Sequence, residues 1–379
     1  METIWIFLHI LLFVAGLSIV LYVLFSAVRT FVVPRSASDR LTNSVFRSSW
    51  VLFRTFLRRR TNYFDRDRVM AFFAPITLIT LPGVWLVLVW VGYTAMFWGL
   101  GVDGISQALK TSGSSLFTLG FIALDDLLRA LLAFSEAAIG LALLALLIAY
   151  LPTIYSSFSR RELAVSLLEV RAGSPPSAEE MVVRFHRLQR LHLLHDIWET
   201  WETWFLDIDE SHTSLAMLVF FRSPQPERSW VVAAGTVLDA AALVGSTVDI
   251  PHDAQADLTL RAGYIALRHI ADYFRIAYNP KPKPNDPISL SRADFEATYE
   301  RLQAEGVPLK PDRDQAWRDF AGWRVNYDAP LLALAELTMA PDAPWLSEIT
   351  RKQSLMVNGK LLRSRPFTSK KKSTSYNEQ

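Results

Sequence analysis

Residues Ile4 to Val28 read IWIFLHILLFVAGLSIVLYVLFSAV, twenty-five residues without an acid, a lysine or an arginine, broken only by His9. As a helix the run extends about 37 Å, enough to cross a hydrocarbon core of about 30 Å. It lacks the basic leader and the small-residue cleavage site of a secretory signal, so the expectation is a retained membrane helix. Two further stretches carry the same signature. Met70 to Leu100 has no charged residue, although Pro75, Pro82 and Gly83 interrupt it; a membrane helix tolerates such breaks when its neighbours re-satisfy the backbone. Leu127 to Tyr155 carries only Arg129 and Glu136. The chain is 51% hydrophobic, and that hydrophobicity is concentrated before residue 156, with mixed charge afterwards. Two regions facing two solvents, lipid and water, are the implication.

Charge sets the direction. Between the first two spans lie Arg29, Arg35, Arg40, Arg47, Arg54, Arg58, Arg59, Arg60, Arg66 and Arg68, against Asp39, Asp65 and Asp67. The positive-inside rule puts this loop in the cytoplasm. The N-terminus is then expected outside and the C-terminus inside a cell inner (plasma) membrane, and Arg160 and Arg161 after the third span agree. Within the loop, Phe46, Trp50, Val51, Phe53 and Leu57 recur near helical spacing among arginines. Two readings stand: a basic amphipathic helix on the inner leaflet, or a cytosolic helix packed on the C-terminal region. The chain has no cysteine and a net charge of +2. Disulfides, thiolate metal sites and cysteine nucleophiles are excluded, and overall charge names no partner.

The segment joining the second and third spans is too apolar for an ordinary loop. Ile105 to Phe117, ISQALKTSGSSLF, predicts a helix of about 20 Å, too short to cross. Thr118-Leu119-Gly120-Phe121 follows, then Ile122-Ala123-Leu124-Asp125-Asp126. A half-length helix ending in hydroxyls and a glycine predicts a re-entrant loop, whose backbone must be buried or line a watery cavity.

Span, short helix, Thr-x-Gly-aromatic, span resembles the pore domain of tetrameric potassium channels, whose filter is usually written TVGYG. The inner span is similar too: Phe134 to Ala149 has an early acid, Glu136, and a central glycine, Gly140. The resemblance covers roughly residues 70–160. It implies a homotetramer in a lipid bilayer, with Thr118, Leu119, Gly120 and Phe121 as the selectivity filter and permeant monovalent cations, K+ foremost, as the bound species. Filters work by offering backbone carbonyls in place of the hydration shell, and glycine permits the unusual φ this requires. The family's second filter glycine is replaced by Ile122, so fewer outer coordination sites and weaker selectivity are implied. Asp125 and Asp126 would form an acidic ring at the pore mouth, or cap the third span. Glu136 would support the filter through Ser114 or Ser115, or pair with Arg129. Gly140 is a candidate gating hinge, or a close-packing site.

The expected fold is therefore an all-α membrane protein of three transmembrane helices plus a re-entrant pore helix, with a helical cytoplasmic domain. Residues 1–69 hold the first helix and basic segment, 70–160 the pore domain, 161–362 the helical domain, and 363–379 a basic tail containing Lys370, Lys371 and Lys372. Met181 to Phe205 reads as one helix with Trp198, Trp201 and Phe205 on one face. Trp230 to Val248 is apolar around a lone Asp239 and reads as a buried core helix rather than a fourth span. Asn279 to Pro287 is a proline-rich linker. His192, His195 and Glu199 share helical spacing that a metal would accept, but no established ligand spacing is met, and no metal or other cofactor is expected. Neither enzymatic activity nor nucleic-acid binding is expected. The competing functional reading is a non-conducting membrane receptor or scaffold that retains the pore-like fold.

Overall fold

A computed structural model describes residues 2–31, 39–57, 62–124 and 126–343. Among them the chain is mostly helical and forms no strand; the one β-type pairing is an isolated bridge between Val248 and Leu309. The helices are α1 (Glu2–Phe31), α2 (Arg40–Leu57), α3 (Tyr63–Ala71), α4 (Phe73–Gly99), α5 (Gly104–Leu116), α6 (Leu127–Ala172), α7 (Ala178–Arg187), α8 (Leu194–Ser214), α9 (Trp230–Thr247), α10 (Ala254–Tyr273), α11 (Arg292–Ala304), α12 (Arg313–Arg324) and α13 (Asp328–Thr338). Among the described residues, four helical stretches are long and apolar enough to cross a membrane: α1, α3 continuing into α4, α6 and α9. They differ in what surrounds them. Only 11% of the most apolar window of α1 and 22% of that of α6 is buried in protein, whereas 94% of that of α9 is. A helix enclosed by protein has no face left for lipid, so α9 is the centre of a packed body.

Helices α1, α4, α5 and α6 form one apolar unit, with Val20, Val23, Trp85, Val89, Tyr93, Phe97, Leu116 and Leu143 in its interior. Helices α1 and α4 approach through glycines. A Cβ on Gly16 would lie 2.3 Å from the Gly92 carbonyl oxygen, and one on Gly99 would lie 2.7 Å from that of His9. Close backbone approach at small residues is how apolar helices associate when lipid supplies no hydrophobic drive. At the far end of α1, the Ser26 hydroxyl donates to Asp39 at 2.6 Å, and Asp39 also accepts from the backbone N–H of Thr42 at the start of α2.

Helix α2 settles between its two readings in an informative way. Phe46, Trp50 and Phe53 pack edge-on against Phe73 at the base of α4, and Phe46 and Trp50 also meet Phe220 of the C-terminal body. Of the face expected to meet lipid or the C-terminal region, Leu57 is buried and Phe46, Trp50 and Phe53 are half-buried against protein, whereas Val51 is exposed, as are Leu52 and Phe56.

The C-terminal body is built around α9. Asp239, the charge in its middle, accepts from Arg324 of α12 and from the Tyr327 hydroxyl at 2.8 Å; Arg324 also reaches Asp328 at 3.0 Å. A buried charge is tolerated only when paired in this manner, which explains why an acid sits in so apolar a helix. Burial and the neighbouring Asp239 push the Tyr327 hydroxyl well above its ordinary pKa, so it acts as a donor. The single helix expected from Met181 to Phe205 is broken. Helix α7 stops at Arg187, Gln189 adopts a left-handed φ of 55°, and a 3-10 turn at Leu191–Leu193 leads into α8. Trp198, Trp201 and Phe205 do share a buried face, and Trp204 joins them. Residues 344–379, which include the expected basic tail, lie outside the described residues.

Arg161 ties α6 to this body. Its side chain is 1% exposed. It donates to the carbonyls of Leu218 at 2.7 Å and Phe221 at 2.8 Å, to Glu162, and to His212 Nε2 at 3.3 Å. Arginine has no acceptor, so Nε2 of His212 accepts and the ring proton sits on Nδ1. Desolvation, then the Arg161 charge, hold the His212 pKa well below its ordinary value, in keeping with a neutral ring.

Candidate functional site

Helix α5 is where the short helix was expected, one residue earlier at each end. It is wedged between α4 and α6 by specific bonds. Trp90 of α4 donates through its indole N–H to the Leu109 carbonyl at 3.1 Å, and its own carbonyl accepts from the Ser112 hydroxyl. Ser112 also lies 2.5 Å from Oε1 of Glu136, whose residue is 0% exposed. The Glu136 side chain therefore supports α5 through Ser112, two and three residues before Ser114 and Ser115, while Oε2 has no partner among the described residues. Arg129 is engaged elsewhere: it caps the end of α4 by donating to the carbonyls of Leu100 and Gly101.

These bonds fix the depth of α5. Gly140 of α6 lies so close that a Cβ there would be 2.5 Å from the Leu116 carbonyl oxygen. From Leu127 to Gly140, α6 advances about 20 Å. Helix α5 thus descends beside α6 by about that distance, and residues 117–126 must climb back over the same span, within reach of an extended chain of about 3.3 Å per residue. Gly140 is a position of close backbone approach, inside a helix that continues unbroken to Ala172.

The loop after α5 has an unusual backbone. Thr118 (φ 54°) and Gly120 (φ 68°) are left-handed, and Leu119, Phe121 and Ile122 are not. A β-branched residue held left-handed costs roughly 1–2 kcal/mol, so the surroundings must enforce it. They do so through Ser114 and Ser115. The N–H of Thr118 donates to the Ser115 carbonyl at 3.0 Å, that of Leu119 to the Ser114 carbonyl at 2.8 Å, that of Gly120 to the same oxygen at 3.4 Å, and that of Phe121 to the Ser114 hydroxyl at 3.1 Å. Four consecutive donors are tied to the last turn of α5. The carbonyl oxygens of Thr118, Leu119, Gly120 and Phe121 accept nothing among the described residues. The C-terminal dipole of α5 adds partial negative charge at the same place. This loop can therefore offer a row of oxygens and no N–H groups to whatever it faces, which suits a cation and repels an anion. Phe117, Leu119 and Phe121 are 58%, 64% and 63% exposed, so the loop is uncovered within one chain.

The remaining candidates divide. Asp126 caps α6, accepting from the Arg129 N–H at 3.3 Å, and its residue is exposed; Asp125 lies outside the described residues. Ser115 donates its hydroxyl to the Thr111 carbonyl. His192 and His195 are not brought together with Glu199 at a metal-binding distance: no group of three His, Asp or Glu among the described residues could hold an ion. His195 instead faces Asp253 at 3.0 Å, whose bond raises the imidazole pKa. The residues that sequence reasoning passed over are Trp90 and Ser112. Ser112 had a signal: it sits in the run Thr111-Ser112-Gly113-Ser114-Ser115, and only burial distinguishes which hydroxyl meets Glu136. Comparison with protein-family models, curated proteins and solved structures returns no match.

Proposed function

We propose that the chain is the subunit of a homotetrameric, membrane-embedded cation channel resembling potassium channels, in which Thr118-Leu119-Gly120-Phe121 lines the conduction path. On this reading α1, α4 and α6 cross the bilayer, α5 is a re-entrant helix entering from outside, and the C-terminal body is cytoplasmic. The observation that carries the proposal is the polarity of the 118–121 backbone: every N–H is bound to the end of α5, and no carbonyl oxygen has a hydrogen-bond partner among the described residues. A conducting filter needs that asymmetry, because its oxygens replace water around the ion. The descent of about 20 Å favours the same reading, since the loop then begins some two-thirds of the way through a core of about 30 Å.

Alternation of left-handed and ordinary residues swings successive carbonyls to one side, and here it stops at Gly120. Ile122, where a third left-handed residue would continue it, keeps an ordinary φ. The proposed path therefore has a short run of sites, which supports conduction of K+ with weak discrimination against Na+. Potassium or sodium flux into vesicles containing the purified protein tests the proposal. Uptake that is lost in Gly120→Val, with the variant still assembled, is the expected result; absence of cation uptake by the parent protein sinks it and leaves the non-conducting receptor reading.

A further inference from the structure

The apolar helical unit and the C-terminal body do not close fully where they meet. Between them lies a cavity of about 350 Å³, more than twice the roughly 150 Å³ that holds benzene in an apolar protein interior. Its walls come from the end of α1, the start of α2, α4, α6, the 3-10 turn Ala216–Phe220 and the end of α10. Much of the lining is aromatic: Phe31, Phe46, Tyr150, Tyr273 and Phe274 all contribute rings. Phe31 meets Tyr150 edge-on with 4.2 Å between ring centroids, which holds that wall in place. Asn43, on the α2 wall, is exposed and gives the cavity a mouth there.

An apolar lining with a few placed polar groups is the usual make-up of a small-molecule site. The polar groups here say what kind of molecule. Thr77 lines the cavity at 4% exposure, and its hydroxyl has no hydrogen-bond partner among the described residues. Other threonines on these helices behave differently. Thr30, Thr80, Thr94 and Thr153 each donate to the carbonyl four residues back, whereas Thr77 makes no such bond to Phe73. A buried hydroxyl left unpaired is costly, and an occupant with its own donor or acceptor removes that cost. The Tyr150 hydroxyl, on the α6 wall, also makes no hydrogen bond among the described residues. Charge is balanced. Oδ2 of Asp39 already accepts from the Ser26 hydroxyl and from the N–H and hydroxyl of Thr42, and Arg275 carries the opposite sign on the α10 wall.

We infer that this cavity binds a neutral aromatic small molecule bearing a hydroxyl, an aromatic alcohol or phenol, whose ring packs among the aromatic walls and whose hydroxyl pairs with Thr77 and Tyr150. A lipid acyl chain would fill the same space but leave both hydroxyls unpaired. The site goes beyond the channel reading and does not depend on it, because neither the cavity nor its test involves conduction or subunit number.

The test uses the full-length protein in detergent micelles and a pair of photoreactive probes. They are 4-(hydroxymethyl)benzophenone and its twin without the hydroxyl, 4-methylbenzophenone; on irradiation the ketone of either inserts into a nearby C–H bond. Mass spectrometry should find saturable adducts on the peptides carrying Met217 and Phe274, both of which line the cavity. The twin should need about five- to tenfold more probe for half-saturation. In Thr77→Val that gap should shrink, and the variant without probe should melt no lower than the parent. Ala216→Phe, which fills the cavity, should cut the adducts at least about tenfold. Adducts that never saturate, or that spread over the exposed faces of α1 and α6, report partitioning into the micelle and overturn the proposal. Equal labelling of the parent by both probes marks an apolar space suited to a lipid chain and also overturns it. So does a lower melting temperature in Thr77→Val, which would mean that the hydroxyl is used within the chain.

Discussion

Gly140→Ala adds one methyl group at the point where α6 meets the end of α5. That carbon would stand 2.5 Å from the Leu116 carbonyl oxygen and 3.0 Å from Leu116 Cδ1, where ordinary contact begins near 3.4 Å. The nearer atom is backbone, so no rotamer change relieves the contact, and the two helices must part by roughly 1 Å. Overpacking of this kind costs about 1–3 kcal/mol. Its effect on the loop is larger than its effect on stability, because Ser114, which holds Leu119, Gly120 and Phe121, lies half a turn from Leu116. A site whose ligands must be held within about 0.5 Å does not survive such a shift, so cation conductance should fall by at least about tenfold. Thermal unfolding of the purified protein and flux into vesicles are measured together. Leu116→Ala should not rescue the variant, since the clash is with the carbonyl. The control is Gly245→Ala in α9, where a Cβ meets nothing within 4 Å; helix propensity alone should then stabilise by up to about 1 kcal/mol. Normal conductance in Gly140→Ala, or rescue by Leu116→Ala, would refute the reasoning about close approach and revive the hinge.

Other consequences follow from the same contacts. Ser114→Ala removes the acceptor of the Phe121 N–H; the loss is about 1 kcal/mol, and conduction or ion preference should change with little change in melting temperature. Arg161→Met strands Glu162 and two buried carbonyls, and calorimetry should show a loss of about 3–5 kcal/mol. Gly16→Leu should prevent α1 from docking on α4, seen as protease sensitivity of α1 in membranes. His212 has a folded pKa well below its unfolded value. Below about pH 6.5 the unfolded chain takes up a proton that the folded chain refuses, so stability is full above that pH and falls by up to about 1.4 kcal/mol per unit below it. Unfolding followed from pH 7.5 to 5 should show that slope, and His212→Gln should remove it.

Much of the architecture is legible in the sequence because hydrophobic runs and helix length are local properties. The limits of α5, of α9 and of the apolar part of α6 follow from them. What failed depends on tertiary partners. Nothing in Leu188-Gln189-Arg190 announces a helix break, since no glycine or proline marks it; after the break, α7 and α8 each contact α9. The apolar face of α2 looks the same whether lipid or Phe73 and Phe220 covers it. Glu136 had several hydroxyls within helical reach, and only the rotation of α5 selects Ser112. The tying of four N–H groups by Ser114 and Ser115 leaves no trace in composition at all. By contrast, the acid in α9 was visible as an anomaly, and its pairing with Arg324 and Tyr327 explains it; the two arginines that follow the third span lie within α6 and pair with Asp207 and Glu162.

The central claim is that the 118–121 carbonyls conduct cations. Single-channel recording of the purified protein in planar bilayers, with K+, Na+, a large organic cation and Cl− exchanged in turn, tests it most directly. The account predicts unitary currents carried by K+ and Na+ with modest discrimination between them, no current from the large cation, and a reversal potential insensitive to Cl−. Silent bilayers from protein shown to be inserted, or currents carried by Cl−, would contradict it.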